Sequence, residues 1–367
     1  MTDFHYGSGA GPDSRAAASQ CLAELGRGGT LGFLYVSDRV SDQLEDILAQ
    51  FRAATGVEQW VGTVGIGVCG TGREYMDQPA IVAMTGDFPA DAFKVFGGIA
   101  DRAAAEALEL PCGDSRAAFA VVHANPRNAE IEALVSACAE KVESGFLVGG
   151  LTSSRRRNLQ IAGGIEESGL SGVAFSDSVA VATRLTQGCT PIGPKHVITA
   201  AQRNVVMSLD DRPALDVLKE DIGEQTTQEI SRVGGTIFAG LPIVGSDTGD
   251  YVVRHLIGID PANGLIAVGD MVQPGGQLLF CRRDRQTARE DMSRMLKSIK
   301  QGLYGQPRGG LYFSCLGRGP GLFGEEQGEL RMVREALGDF PLAGFFCNGE
   351  ISHNRLYGYT GVLTLFV

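Results

Sequence analysis

Long apolar runs, aromatic side chains and secretion signals are scarce or missing in this chain of 367 residues. Aromatic residues make up 7% of the sequence, with a single tryptophan. No apolar run approaches the ~18 residues that a membrane-spanning helix needs. The N-terminus has no basic segment followed by an apolar core, as a signal peptide would have. We therefore expect a cytoplasmic protein that makes no membrane contact.

The eight cysteines form no metal-binding pattern. Neither Cys-x-x-Cys nor His-x-x-x-His nor His-Glu-x-x-His occurs in the sequence. Most of the cysteines lie in apolar runs, which is typical of small buried side chains. We expect free thiols and no metal site.

Acidic residues outnumber basic ones, 43 against 32, so the formal charge is −11. An acidic surface repels phosphate backbones, which argues against a nucleic-acid partner. Glycine is abundant, with 51 residues, about twice its usual share of ~7%. These glycines follow no collagen period and are typical of strand ends, tight turns and close backbone contacts.

Apolar periodicity predicts alternating strands and helices, hence an α/β fold of mixed, largely antiparallel sheets layered with helices. The N-terminal residues 1–14 resemble a flexible tail. Asn125 and Pro126 resemble the cap and first position of a helix whose apolar stripe runs from Ile131 to Val142. Further helices are predicted over 15–25, 39–54, 89–108, 285–302 and 326–338.

An internal repeat links the two halves of the chain. Residues 118–126 align with 312–320, and residues 146–149 align with 341–344. The repeat predicts two pseudo-related halves whose interface or loop mouths would hold a ligand, with chance similarity as the alternative. The predicted divisions are 1–28 for a tail and short helix, 29–209 for a first domain and 210–367 for a second.

The sharpest group of polar residues lies near the C-terminus. Residues 314–321 run from a strand end through a glycine-rich loop into a helix, where free N–H groups can meet an anion. The loop is neither a Walker loop nor a dinucleotide fingerprint. A tight turn that requires glycine is the alternative interpretation.

Arg318 and Glu350 are the predicted charged contacts of a ligand. They follow neighbouring strands, and an arginine fork binds a carboxylate while a glutamate binds an amine. A structural ion pair between them is the alternative. The predicted supporting residues are Gly317, Gly319 and Gly349 for backbone access and Asn348 for amide hydrogen bonds.

Two further groups of residues each have a functional and a structural interpretation. Cys315 would be reactive if Arg318 favoured its thiolate, and inert if it is buried. In the N-terminal half, Gly149, Gly150 and Thr152 precede the run Arg155-Arg156-Arg157. Backbone, hydroxyl and cationic groups there could hold an anion, or the run could be a solvated hairpin tip.

Catalytic and haem-binding patterns are weak. The sequence has no Gly-x-Ser-x-Gly elbow and no paired carboxylates of a hydrolase, so no enzyme is indicated. A nucleophilic Cys315 is the enzyme alternative. His123, His255 and His353 are the candidate axial ligands of a haem, or ordinary hydrogen-bonded histidines.

The C-terminal motifs resemble the FIST C-terminal domain. They are Ser314-Cys315-x-Gly317-Arg318-Gly319 and Pro341-Leu342-x-Gly344-Phe345-Phe346-x-Asn348-Gly349-Glu350-Ile351, closing on Tyr359-Thr360. The N-terminal half resembles the FIST N-terminal domain through the glycine-rich segment 60–72, His123-x-Asn125-Pro126 and Val148-Gly149-Gly150. Together the resemblance covers about residues 29–367.

The resemblance implies a sensory protein that binds a small polar ligand, an amino acid or a similar metabolite, without a cofactor. Some relatives are associated with haem and nitric-oxide sensing beside a histidine kinase, which is one alternative. An interaction scaffold without a ligand is another. Because the sequence to Val367 contains no kinase, cyclase, methyl-acceptor or F-box segment, we expect its output to pass through a separate signalling protein such as a histidine kinase.

Overall fold

A computed structural model describes residues 3–113, 115–223, 235–243, 251–324 and 328–367. Helices and mixed sheets alternate along the chain, which confirms the predicted α/β class. The chain forms two compact units. Unit 1 comprises Met1–Thr186 and Met292–Val367, and unit 2 comprises Gln187–Asp291.

Unit 1 contains one succession of strands and helices three times. The first repeat consists of β1 (Phe4–Ala10), α1 (Ser14–Leu25), β2 (Leu31–Ser37), α2 (Leu44–Thr55), β3 (Gln59–Gly65), β4 (Gly67–Gly70), β5 (Arg73–Met76) and β6 (Ala80–Gly86). A 3-10 turn, Asp38–Gln43, precedes α2. The second repeat consists of β7 (Phe93–Ile99), α3 (Arg102–Ala107), the hairpin β8 (Pro111–Cys112) and β9 (Ser115–Arg116), β10 (Phe119–Ala124), α4 (Ile131–Ala139), β11 (Phe146–Leu151), β12 (Gln160–Ala162), β13 (Gly164–Glu166) and β14 (Leu170–Phe175).

The third repeat is interrupted after its first strand, β15 (Val181–Gln187). Unit 2 follows with β16 (Thr190–Pro191), β17 (His196–Gln202), β18 (Val205–Leu209), β19 (Arg212–Pro213), α5 (Ala214–Ile222), β20 (Ile237–Pro242), β21 (Tyr251–Asp260), β22 (Leu265–Val268) and β23 (Gln277–Arg282). The repeat resumes with α6 (Arg285–Gln301), β24 (Gly309–Cys315), α7 (Gly319–Phe323), α8 (Gly328–Leu337), β25 (Leu342–Cys347), β26 (Glu350–Ser352), β27 (Arg355–Tyr357) and β28 (Thr360–Phe366).

Each repeat contributes to a six-stranded sheet, and the three sheets exchange hairpins in a cycle. The strand orders are β1-β6-β2-β3-β12-β13, β7-β14-β10-β11-β26-β27 and β15-β28-β24-β25-β4-β5. Every sheet has one parallel pair at its centre, namely β2–β3, β10–β11 and β24–β25. Its last two strands come from another repeat, so no repeat completes its own sheet.

The inner faces of the three sheets meet in one apolar core. At its centre lie three residues from equivalent positions, Tyr35, His123 and Phe313, with ring centroids 5.6 to 6.3 Å apart. Helices cover the outer faces, as where α3 and α4 pack on the second sheet. This arrangement buries most of the strands on both faces, which explains their continuous apolar runs.

A glycine occupies the same position in the second central strand of each repeat. Gly62, Gly149 and Gly344 lie opposite Leu34, Val122 and Tyr312 in the parallel pairs. A Cβ atom at any of the three glycines would lie 1.8 Å from the carbonyl oxygen of the opposite residue. Only glycine therefore permits the central strands to approach so closely.

The structure supports the predicted repeat and adds a third copy. The alignment of Gly149 with Gly344 is confirmed, because both hold the same place in their sheets. The alignment of Ala118 with Tyr312 was wrong, since Val122 is the residue equivalent to Tyr312. The copy at residues 4–86 was missed.

Three local predictions were wrong. The predicted tail contains β1, which pairs with β6 along its whole length. The predicted helix 89–108 is the strand β7 followed by the short helix α3, because Gly97 and Gly98 suit a sheet edge better than a helix. Asn125 does not cap α4 but closes a turn, in which its Oδ1 accepts from Arg127 N at 2.9 Å.

In unit 2, six strands pair in a closed ring of the order β17-β18-β22-β21-β20-β23, because β23 pairs with both β17 and β20. Their apolar side chains form one core with those of α5. A buried histidine joins three of its segments: His196 in β17 contacts Asp210 through Nδ1 at 2.6 Å and Asp221 of α5 through Nε2 at 3.0 Å. Burial lowers the pKa of His196, but the hydrogen bonds to the two carboxylates outweigh it and raise the pKa above its usual value.

We expect this imidazolium to make the stability of unit 2 depend on pH. Because the pKa of His196 is raised in the folded protein, its contribution is complete below about pH 6.5 and is lost as pH rises through the folded pKa. Thermal unfolding of the wild type and of His196→Gln at about pH 6 and about pH 8.5 tests this. An equal difference between the two proteins at both pH values would contradict the prediction.

Candidate functional site

The predicted site lies where β24 and β25 end side by side. The two strands are parallel, and Cys315 and Cys347 are register partners at their last residues. The chain then turns through residues 316–318 into α7. Gly319 has a φ of +58°, and a Cβ atom there would lie 2.9 Å from the Phe346 ring, so glycine is required.

Arg318 forms a buried ion pair with Glu329 of α8, and not with Glu350. The Nε and Nη2 atoms of Arg318 lie 2.8 Å from Glu329 Oε1, and both side chains are inaccessible to solvent. Glu329 also accepts hydrogen bonds from Tyr312 Oη at 2.5 Å, Ser314 Oγ at 3.1 Å and Gly319 N at 2.8 Å. Arg318 therefore anchors the loop to α8, and its charge is already neutralised.

Glu74 of β5 completes this outer cluster. Its Oε1 accepts from Leu330 N in the first turn of α8 at 3.4 Å. Burial, and then the nearby carboxylate of Glu329, raise the pKa of Glu74 well above its usual range. The cluster therefore holds two carboxyl groups against one guanidinium, with a proton on Glu74 at neutral pH.

Glu350 lies in β26, buried and opposite Gly150 of β11. Its Oε2 accepts from Thr360 N at 3.0 Å and from Thr360 Oγ1 at 2.7 Å. Among the described residues, its Oε1 has no N–H or O–H donor. Burial raises the pKa of Glu350 to about 8, against the lowering effects of Thr360, of Arg318 and of a hydrogen bond from the Cys315 thiol, which is a weak donor.

The repeats provide an internal comparison for Glu350. Gln160 of β12 holds the equivalent position, opposite Thr63 of β3. Its Oε1 accepts from Ser171 Oγ at 2.6 Å, and its Nε2 donates to Gly169 O at 3.2 Å. The amide of Gln160 thus has a hydrogen-bond partner for both of its polar atoms, whereas the carboxyl group of Glu350 has no N–H or O–H donor for its Oε1.

The structure brings the two predicted groups of site residues together. Gly150 pairs with Glu350, and Leu151 N donates to Gly349 O at 2.8 Å. Asn348 is exposed beside them, while Gly349 is buried with a φ of +134°. Cys315 and Gly317 are half-buried, so this part of the loop reaches the surface.

Three of the predicted residues have packing roles. Gly149 is one of the three close-contact glycines, and a Cβ atom at Gly150 would lie 2.3 Å from Cys347 Sγ. Thr152 is buried, and its Oγ1 hydrogen-bonds Thr63 Oγ1 at 2.7 Å. The close contacts and the hydrogen bond of these residues stabilise the packing of the strands near Glu350.

The model of the FIST N domain matches residues 30–212, and that of the FIST C domain matches residues 214–353. The chain belongs to the FIST family. FIST domains are sensory domains. The two matched segments do not coincide with the compact units, because the third FIST repeat has strands on both sides of unit 2.

The chain is similar over nearly its whole length to uncharacterized mycobacterial proteins. Uncharacterized protein Rv0628c of Mycobacterium tuberculosis is 31% identical over 379 residues, which cover 97% of each chain. Uncharacterized protein Mb0898c of Mycobacterium bovis is 28% identical over 386 residues, which cover 97% of this chain and 96% of the relative.

The arginine run of the N-terminal FIST segment is paired with acids. Arg155 Nε lies 2.8 Å from Asp38 Oδ2, Arg156 contacts Asp42, and Arg157 contacts Glu167 at 2.6 Å. The predicted cationic site for an anion is therefore a set of ion pairs between loops.

The candidate haem ligands have three different environments. His123 is enclosed in the central core, where burial lowers its pKa to about 3 and its Nε2 lies 3.3 Å from Tyr35 Oη. The ring of His255 packs at a tilt of 46° to that of Phe238 in unit 2, and His353 contacts the edge of Phe146. Among the described residues, no cluster of three metal-ligating side chains is found.

Cys315, the predicted nucleophile of the enzyme alternative, lies in an environment that favours its neutral form. Burial, and then the nearby Glu350, raise the pKa of Cys315 to about 12, so its thiol is protonated at neutral pH. The eight cysteines are all free thiols. No helix in the described part of the chain has the length and apolar character needed to cross a membrane.

Sequence reasoning missed the partners of the predicted residues. Glu329 lies in an amphipathic helix and has the local pattern of a solvent-facing residue. Gln160 and Thr360 gain their roles only through the pairing of distant strands. An alignment of the three repeats with one another is the signal that would have shown Gln160 and Glu350 to be equivalent.

Proposed function

We propose that this FIST protein binds a small polar ligand, an amino acid or a similar metabolite, at Glu350, without a prosthetic group. It passes the signal to a separate protein in the cytoplasm. The observation that supports this most directly is the buried Oε1 of Glu350, which has no N–H or O–H donor among the described residues and only the weak S–H donor of Cys315 nearby. Native proteins rarely leave such an atom unpaired, because the loss of its hydration is unfavourable.

The chemistry of this atom favours a ligand with an N–H donor. A carboxylate accepts a charge-assisted hydrogen bond from an ammonium group, which is strong where water is excluded. The half-buried Cys315 and Gly317 and the exposed Asn348 are the parts of this region that reach solvent. A ligand that enters beside them would contact this loop and change its position.

Glu350→Gln is the decisive variant, because Gln160 shows that an amide fits this position. We expect the variant to fold normally and to lose the thermal stabilisation by amino acids and amines in a ligand panel. A ligand present at about 100 times its Kd stabilises the wild type by about 2.7 kcal/mol. The matched control is Glu335→Gln, which alters an exposed carboxylate of α8. A Glu350→Gln protein that keeps full ligand stabilisation contradicts the proposal.

The same variant has a second readout in the pH dependence. Since the folded pKa of Glu350 is about 8, well above its unfolded value, its ionisation destabilises the fold as pH rises toward 8. We expect the stability of the wild type to fall over that range more steeply than that of Glu350→Gln. A cationic ligand should also bind the wild type more tightly at the upper end of the range.

The panel separates the alternatives. A Soret band after reconstitution with haem would favour the haem sensor with a histidine kinase partner. Selective alkylation of Cys315 together with loss of a turnover would favour an enzyme. The protonated state of this thiol makes that outcome unexpected. A chain that no ligand stabilises would favour the interaction scaffold.

A further inference from the structure

An open groove of about 690 Å³ lies beside β15 in unit 1. Residues 179–184 form one wall, and Phe119 and Phe146 at the starts of β10 and β11 form the other. Ile299 of α6 and His353 complete the lining. The volume falls within the ~300–1,000 Å³ that binding pockets usually have.

The wall along residues 179–184 is the edge of a strand and not its face. Successive side chains of a strand point to opposite faces, so a face would contribute every second residue. Here every residue from Val179 to Arg184 lines the groove. β15 is also the outermost strand of its sheet, so its backbone N–H and C=O groups turn toward the groove.

Contacts with β28 indicate which backbone groups are open. Val367 N donates to Ala180 O at 3.1 Å, and the hydroxyls of Thr183 and Thr364 lie 3.0 Å apart, which fixes an antiparallel register. Backbone bonding alternates along such a pair. Val181 and Thr183 therefore direct their N–H groups away from β28, toward the groove.

The first repeat covers one backbone N–H group at the equivalent edge. Ser8 N of β1 donates to Glu24 of α1 at 3.0 Å. Gln20, one turn earlier in α1, accepts a hydrogen bond from the backbone N–H of Ala10, the last residue of β1. In the third repeat, Asp291 of α6 accepts the equivalent bond from Gln187, the last residue of β15. One turn after Asp291 stands Met295, in place of Glu24. Because Ala10 and Gln187 make equivalent contacts, Ser8 corresponds to Leu185, so the edge of β15 lacks this carboxylate at Leu185, next to Arg184.

Opposite charges stand at the two ends of the groove. The exposed Arg184 donates to Thr183 O at 2.8 Å and has no acidic partner among the described residues. Asp177 is likewise exposed, with no hydrogen bond or ion pair in that part of the chain. Phe119 and Phe146 give the groove an apolar side.

We propose that β15 receives an extended peptide segment of a partner protein as a seventh strand of its sheet. An extended backbone offers acceptors at the two-residue spacing of the Val181 and Thr183 N–H groups. An acidic side chain of the segment lies against Arg184, and an apolar one faces Phe146. Glu350 does not line this groove, and the segment needs no ligand at Glu350 in order to bind.

The probe is a fluorescein-labelled pentapeptide of alternating valine and glutamate, followed by anisotropy. We expect Val181→Pro to weaken binding at least about tenfold, because proline removes an outward N–H that β28 does not use. Val181→Ala, which keeps this N–H, is the matched control. Arg184→Glu should shift the preference to the peptide with lysine in place of glutamate. Normal thermal unfolding of Val181→Pro confirms that the edge tolerates the change.

Each other outcome overturns the proposal. If neither peptide binds at about millimolar concentration, the edge takes no extended segment. If a backbone N-methylated pentapeptide binds as well as the parent, the groove recognises side chains and not a strand. If the protein is a dimer and Val181→Pro is a monomer, the occupant is a second copy of this chain.

Discussion

Replacing Gly344 by alanine is expected to unfold unit 1, with a loss of about 4 kcal/mol or more. The new Cβ atom would lie 1.8 Å from Tyr312 O, which belongs to the backbone of the neighbouring central strand. No rotamer change relieves that contact, so β24 and β25 must separate. A loss of this size is a large part of the ~5–15 kcal/mol by which proteins of this kind are stable. Urea unfolding followed by circular dichroism measures it.

Gly164→Ala is the matched control, because Gly164 also lies in a strand of unit 1 but has no atom within 4 Å of its Cβ position. We expect this change to leave stability within about 0.5 kcal/mol of the wild type. Gly62→Ala and Gly149→Ala should resemble Gly344→Ala, since the three positions are equivalent. A soluble Gly344→Ala protein of wild-type stability would show that the central strands do not approach this closely.

Arg318→Met is expected to destabilise the chain by about 3–5 kcal/mol, because it leaves the buried charge of Glu329 without a positive charge beside it. The double variant Arg318→Met/Glu329→Gln should recover part of that loss, since glutamine removes the buried charge and keeps one acceptor oxygen, for Tyr312 Oη or for Gly319 N. Urea unfolding of both single variants and the double variant yields the coupling energy, which we expect to be about 1–3 kcal/mol.

The exposed pair Arg102–Glu106 of α3 supplies the control for this cycle. Arg102→Met should change the free energy of unfolding by less than about 1 kcal/mol, because water screens both charges. The two interpretations of Arg318 differ in what its loss affects. If Arg318→Met kept wild-type stability and lost only ligand binding, Arg318 would be the ligand clamp that the sequence suggested.

Part of the fold was predictable because its signals are local. The apolar stripe of α6 runs through consecutive turns of one helix, so its predicted span agrees with the structure to one residue. β1 was missed because Gly7 and Gly9, which give it the composition of a tail, let α1 pack against the strand backbone. Glycine is required at these two positions by the contact with α1, and the sequence around β1 gives no sign of that contact.

The candidate site was predictable in its residues but not in its pairings. The glycine-rich loop and Glu350 stood out because turns and strand ends have a recognisable composition. The partner of Arg318 is Glu329, and the two meet only because α8 packs over the end of β24. Sequence spacing favoured Glu350 as the partner of Arg318, whereas the sheet places Glu350 against Gly150 and Thr360.

The cyclic exchange of hairpins has a consequence for synthesis on the ribosome. The hairpin of β4 and β5 finds its sheet only when β25 emerges, since Gly70 pairs with Ala343. At translation rates of about 5–20 residues per second, this hairpin waits on the order of tens of seconds with its edge open. A nascent chain that stalls before β25 therefore exposes an edge that can pair with another molecule, so the last strand pair acts as the closing step of the whole unit.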